Sequence, residues 1–282
     1  MSAAALARVE LGCRDLDASR QFFVETLGLL ETEASADRVA LRCYGERYAA
    51  SLVLLRSERS GLVRLVWRGD GGNGTRPPEA VSPDGHASHE AASLELAPAP
   101  ARPPRMRNQP APLAGIGIEP RRLAHAALFV EDPAASLAWW SEQAGLAARE
   151  LVEDVEGGFQ VVTAGVSPHP ADLVLLRRFG VGTAGALHHV AFAVDNRDEL
   201  ARAIDLFAEH DVPVECGPGQ HGIGQLGFVY CFEPSGNRIA IVTSPLVLLD
   251  DWEPVTWPAA EAHRALHWWG APLPQSFLEH HT

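Results

Sequence analysis

Apolar and polar positions along the chain follow the same order twice. Leu6–Leu29 reads LARVELGCRDLDASRQFFVETLGL, and Leu123–Leu146, displaced by 117 residues, reads LAHAALFVEDPAASLAWWSEQAGL. Leu, Ala, Leu, Asp, Ala, Ser, Glu, Gly and Leu recur in register without a gap. Self-similarity of this kind signals a repeated structural unit. Each copy opens on a short apolar run, read as a strand. Asp15 or Asp132 then marks a helix start, with Pro133 suited to the first turn. The helix carries paired aromatics (Phe22 and Phe23; Trp139 and Trp140) and should stop at Gly28 or Gly145. Strand-like runs follow at Arg38–Tyr44 and Ser51–Arg56, and again at Phe159–Thr163 and Ala171–Leu176. The predicted unit is β-α-β-β-β.

A weaker copy starts at Leu187. HHVAFAV predicts a strand, Asn196–His210 a helix, and further strands lie near Val212–Glu215, Gly227–Phe232 and Arg238–Thr243. Its counterpart in the first half should begin at Leu62–Trp67, but there the pattern breaks. Gly69–Pro78 is turn chemistry where a helix is expected, and only Pro83–His86 and Ala91–Leu96 resemble the closing turn and strand. The chain therefore divides into four modules with the second eroded, an α+β arrangement of tandem βαβββ units. Ala97–Pro112, rich in Pro, Ala and Arg, predicts a linker, which places one domain at 1–112 and another at 113–282. A tail with Trp252, Trp257, Trp268 and Trp269 follows Thr243, and aromatics at that density are expected to cover a surface.

Composition narrows the partners. A chain of 282 residues can build a proper core. Its net charge of −13 argues against nucleic acid or an anionic membrane as partner. No apolar run approaches the ~20 residues of a membrane helix. The N-terminus has no basic stretch followed by a long apolar one, so no signal peptide is predicted. The four cysteines show neither CxxC spacing nor disulfide density, which predicts reduced thiols and a cytoplasmic location. The Ala-, Arg-, Gly- and Pro-rich composition points to a bacterial source of high GC content.

Candidate chemistry gathers in Gly217–Ile241, GPGQHGIGQLGFVYCFEPSGNRIAI. It holds His221 on a glycine-rich loop that could serve as a lid, Tyr230 nine residues on, and a turn at Glu233–Asn237 before an alternating strand. His125 and His189 open strands at equivalent points of two modules. A histidine there is commonly a hydrogen-bonded structural residue, but paired placement favours a shared site. His188 is expected to face away from His189, because neighbours on a strand point to opposite sides. Glu233 reads as a turn-capping acid.

Taken in order, LAHAALFVED, LHHVAFAV, GPGQHG, FVYCFEPSGNRIAI, DWEPVTW and WWGAPLP resemble the vicinal-oxygen-chelate superfamily, and within it the two-domain extradiol dioxygenases of the catechol 2,3-dioxygenase type. The resemblance covers nearly the whole chain and fails mainly at 69–110. It implies paired βαβββ modules curled into half-open barrels, and an Fe(II) or Mn(II) site in the C-terminal half held by two histidines and a glutamate. The histidines fall on His125 and His189. The glutamate position holds Ala240, so the third ligand is missing. The resemblance also implies that His221 and Tyr230, with His188 beside them, line the substrate side, where His221 and Tyr230 serve as the catalytic pair. A further acid–base histidine that precedes an Asp in the family is replaced at Ala171-Asp172, with His169 nearby. In the N-terminal half the ligand positions fall on Arg8, Arg64 and roughly His89, and no metal site is expected there. His280 and His281 are assigned no role.

Three readings follow. The first is an oxygenase with a modified two-histidine metal site acting on a small phenolic or catecholic aromatic. The second is a metal-independent isomerase, cyclase or hydrolase of an aromatic intermediate using His189, His221 and Tyr230 as acid–base groups. The third is a protein that binds an aromatic compound without turning it over. An enzyme, acting as a homo-oligomer, is the favoured expectation.

Overall fold

Strand and helix boundaries follow the repeat. The computed structural model describes residues 5–69, 79–91, 93–97, 116–166, 168, 170–178, 185–243, 246–249 and 251–282. All but the first residues of Gly69–Pro78 and Ala97–Pro112 lie outside them, as does His169.

The first module is β1 (Ala5–Cys13), α1 (Leu16–Gln21, continued by a π turn at Phe22–Thr26), β2 (Leu30–Ala34), β3 (Arg38–Arg42) and β4 (Leu52–Arg56). The eroded second module keeps β5 (Gly61–Arg68), β6 (Glu79–Val81) and β7 (Ala87–Ala91). Its closing strand therefore precedes the expected Ala91–Leu96, of which Leu96 makes only an isolated bridge to Tyr48. The third module is β8 (Arg122–Val130), α2 (Pro133–Ala144), β9 (Ala147–Glu153), β10 (Phe159–Gly165) and β11 (Leu173–Arg177). The fourth is β12 (Leu187–Val194), α3 (Arg197–Glu209), β13 (Val214–Gln220), β14 (Gly227–Phe232) and β15 (Arg238–Thr243). The tail adds β16 (Val255–Trp257), α4 (Ala262–Leu266), β17 (Trp269–Gly270) and α5 (Gln275–Glu279).

The capping chemistry is as read. The Asp132 carboxylate accepts the Ala134 and Ala135 amides, Pro133 occupies the first helical position, and Gly145 closes α2 at φ 70°, which a side chain would strain. Asp15 and Asn196 cap α1 and α3 in the same way.

Two sheets result. The first runs β2-β3-β4-β1-β5-β7-β6 and the second β16-β9-β10-β11-β8-β12-β15-β14-β13-β17. Within each, the modules meet at an antiparallel pair, β1 with β5 and β8 with β12. The register preserves the internal symmetry. Val66 pairs with both Arg8 and His89, as Ala191 pairs with both His125 and Ala240. Arg8 and His89 thus hold the positions that the repeat assigns them.

A continuous core joins the halves, running from Leu11, Phe23 and Leu52 through Leu128, Trp140, Phe192 and Ile239. Trp67 meets Trp140 at 5.5 Å between ring centroids and Phe23 meets Phe192 at 6.2 Å. Polar ties cross the same seam: Leu6 N–H donates to Asp172, and Leu123 N–H to Glu46. With helices and core on one side, the second sheet turns its other face to the tail. β12 is consequently buried along its full length, which explains why LHHVAFAV lacks alternation.

Candidate active site

His125 and His189 converge because β8 and β12 are antiparallel neighbours. His125 lies opposite Ala191 and His189 opposite Ala127, which makes the histidines diagonal partners on one face. Their Nε2 atoms stand 3.1 Å apart. They line a cavity of about 50 Å³ with Ala171, His221, Tyr230 and Phe277.

His188 departs from expectation. Its ring meets His189, Nδ1 to Nδ1 at 2.6 Å, and its Nε2 lies 2.7 Å from the Phe277 carbonyl. The cause is a register shift between Leu187 and His189, a bulge that defeats simple alternation. The partners assign the tautomers. His188 must donate from Nε2 to the carbonyl, so its Nδ1 accepts from His189 Nδ1–H. The His189 Nε2 lone pair is then left facing His125.

Burial governs the charge of the group. Desolvation first, with Arg122 and His221 adding, lowers His125 to about 3. Desolvation likewise holds His188 and His189 well below the usual imidazole range, and lowers His221 to about 4. All four rings are neutral at pH 7. Burial also raises the Tyr230 hydroxyl, which stays protonated.

His221 and Tyr230 form the second element of the site. His221 Nδ1–H donates to the Leu266 carbonyl, which leaves Nε2 to accept the Tyr230 hydroxyl at 3.0 Å. The Phe228 ring stacks on His221 at 4.1 Å and fixes its plane.

Ala240 is fully buried between Ala191 on β12 and Tyr230 on β14, and its methyl lies at the position facing the histidines. Glu233 does not substitute for a carboxylate there. It accepts from Ser19 Oγ at 2.5 Å, from the Ser235 and Asn237 amides at 3.0 Å each, and from Asn237 Nδ2 at 2.8 Å. It therefore caps its own turn and ties it to α1. Asp172 likewise serves the seam between halves, accepting Leu6 N–H and Val166 N–H, while burial raises it to about 6.

Among the described residues, no group of three or more His, Cys, Asp or Glu side chains is arranged to hold a metal ion. The two Nε2 atoms nonetheless suit adjacent positions on one divalent ion. Nitrogens bound at about 2.0–2.1 Å and roughly at right angles lie about 3 Å apart. The fit covers two ligands, and the third position presents a methyl.

Sequence reasoning did not anticipate the part played by the tail. Arg238 is fully buried, paired with Glu215 at 2.6 Å, and donates to the backbone carbonyls of Ser276 and His280. Through it α5 places Phe277 over the histidines. His280 also packs on Phe232, and the Thr282 and Leu187 backbones pair, so LEHHT belongs to the fold. Glu215 on β13 and Arg238 on β15 are separated by β14, and nothing in the sequence showed that the two meet or are buried.

Residues 122–241 match the sequence profile of the Glyoxalase/Bleomycin resistance protein/Dioxygenase superfamily. Beyond that domain, the chain is 27% identical over 299 residues to the manganese-dependent 2,3-dihydroxybiphenyl 1,2-dioxygenase of Geobacillus genomosp. 3, covering 92% of this chain and 91% of that one. It is 27% identical to the metapyrocatechase of Geobacillus stearothermophilus over 97% of this chain and 92% of the relative. Among solved structures, homoprotocatechuate 2,3-dioxygenase from Arthrobacter globiformis superposes with a TM-score of 0.80 at 22% identity, covering 100% of this chain and 92% of that one. The superfamily match thus lies within residues 122–241, and the fold of the chain is that of the solved extradiol dioxygenases.

Proposed function

We propose that the protein is an enzyme of extradiol-dioxygenase ancestry acting on a small phenolic or catecholic aromatic at a two-histidine site. The observation that carries this reading is the 3.1 Å approach of His125 and His189 Nε2 within an apolar cavity. His125 and His189 would hold Fe(II) or Mn(II), whose role when bound is to activate the aromatic hydroxyls and oxygen. The protein's own contribution is positioning and proton handling. His188 fixes the tautomer that aims the His189 lone pair. Neutral His221 accepts a proton from Tyr230 as Tyr230 takes one from a substrate hydroxyl, an exchange that burial keeps isolated from water. The relatives' names support an aromatic diol as the substrate class.

A metal-free reading has its own support. With His125 protonated on Nε2, the hydrogen bonds from His125 to His189, His188 and the Phe277 carbonyl form a closed neutral chain needing no ion. Acid–base chemistry by His221 and Tyr230 would then act alone.

Elemental analysis after anaerobic loading with Fe(II), on wild type and Ala240→Glu, separates the two. The two-histidine reading expects about one iron per wild-type chain and tighter retention in the variant. Wild type without iron beside a variant that gains one iron would establish the metal-free reading.

A further inference from the structure

The cavity at the histidines has about 50 Å³, whereas a buried apolar site that holds one benzene ring has about 150 Å³. A ring of that size does not fit beside His125 and His189 in this conformation. On the far side of one wall lies a cleft of about 370 Å³ lined by Trp252, Trp257 and Trp268. His221 lines both spaces. The partition is the short turn after it, with Ile223, Gly224 and Leu226 facing the histidines and Gly222 and Gln225 facing the cleft.

This turn is held in an unrelaxed shape. Gln225 sits at φ 50°, a left-handed backbone that a residue with a β-carbon resists. The buried Glu150 on β9 fastens it. One carboxylate oxygen accepts Gly224 N–H at 2.5 Å and the other accepts Trp257 Nε1–H at 2.8 Å. The same side chain thus grips the partition and a wall of the cleft.

Neither space is lined by a lysine or arginine among the described residues. Glu150 lines the cleft, so a ligand carboxylate would meet an acidic group and no cation.

We propose that the tryptophan-lined cleft is a vestibule for an uncharged planar aromatic, that Gly222–Leu226 is its inner door, and that Glu150 is the latch. The proposal rests on the aromatic-substrate reading above, deepens it to aromatics without a carboxylate, and holds with or without a metal. Flat indoles suit a ring by stacking, and opening the door would merge the vestibule with the histidine cavity.

The test uses metal-free full-length protein, so that turnover plays no part. Hydrogen exchange of the peptide spanning Gly217–Leu226 and stopped-flow tryptophan quenching by 2,3-dihydroxybiphenyl are measured on wild type, Glu150→Ala and Trp257→Phe. Expected are at least tenfold faster exchange and a similar gain in association rate for Glu150→Ala, with several-fold gains for Trp257→Phe and unchanged exchange in Leu187–Val194. If Glu150→Ala does not fold, Trp257→Phe decides alone. Unchanged exchange or unchanged association in the folded variants would overturn the latch. In wild type, 3,4-dihydroxybenzoate should bind at least tenfold more weakly than 2,3-dihydroxybiphenyl, and equal or tighter binding would overturn the assigned class. Loss of the metal reading would leave these binding results standing, so the two failures are distinguishable.

Discussion

The His188 ring is held at both ends, by the Phe277 carbonyl at Nε2 and by His189 at Nδ1. An outer partner that fixes the tautomer of a ligating histidine typically accounts for about 10–100-fold of metal affinity. His188→Phe keeps a ring in the same space but removes the acceptor, so His189 is free to turn or to protonate on Nε2. We expect affinity for Fe(II) to fall by about that factor, measured by competition with a chromophoric chelator. Unchanged affinity would assign His188 to packing alone. Ala240 has the opposite character. Its small side chain leaves the position between Ala191 and Tyr230 without charge.

Among the elements, the Glu233–Asn237 turn carries more than its local shape. It caps itself through Glu233 and reaches across the seam, where Ser19 donates to the carboxylate, Asn237 Nδ2 to the Gly12 carbonyl, and Arg14 to the Ser235 carbonyl. Glu233→Ala strands several buried donors at once. Leaving such groups unsatisfied costs about 1–3 kcal/mol each before relaxation, and we expect a net loss of about 2–4 kcal/mol. Urea unfolding checks this through a lower midpoint at unchanged slope. A loss below about 0.5 kcal/mol, the usual size of a surface substitution, would show that the seam does not depend on the turn. The glycine-rich loop bearing His221 is similarly defined by what it touches. The Leu266 carbonyl orients its histidine, and Glu150 fixes the turn behind it.

For the whole molecule, burial of neutral histidine sets the response to acid. His86, His125, His188, His189 and His221 are all lowered from 6.5, chiefly by desolvation. Below about pH 6.5 the unfolded chain takes up protons at these sites and the folded chain does not, so stability falls as pH falls. Asp172, raised to about 6, and Glu46 and Glu150, also raised, act in the opposite sense by keeping protons in the folded state. Five groups outweigh three. The thermal midpoint of metal-free protein should therefore drop steadily from pH 7.5 to pH 5 by scanning calorimetry, and a flat profile would contradict the neutral assignment. No described helix is long and apolar enough to cross a membrane.

The βαβββ repeat, the helix caps and the equivalent strand positions of His125 and His189 were legible along the chain because they depend on local periodicity and on similarity between copies, whereas Ala240 was singled out only through the family resemblance. The turn-capping character of Glu233 was also legible, since the amides it caps, those of Ser235 and Asn237, lie within four residues, while its bond to Ser19 was not. The facing of His188 was not, because a one-residue bulge reverses a side chain and leaves no mark in composition. Nor was the tail's role, since Arg238, Glu215 and Phe277 come together only through pairings of distant strands and the C-terminal turn. The sequence alone determined which module each candidate residue belongs to. Tertiary structure decided which rings touch, which carboxylate serves a turn or a latch, and how little space surrounds the histidines, because each depends on contacts between segments far apart in the chain.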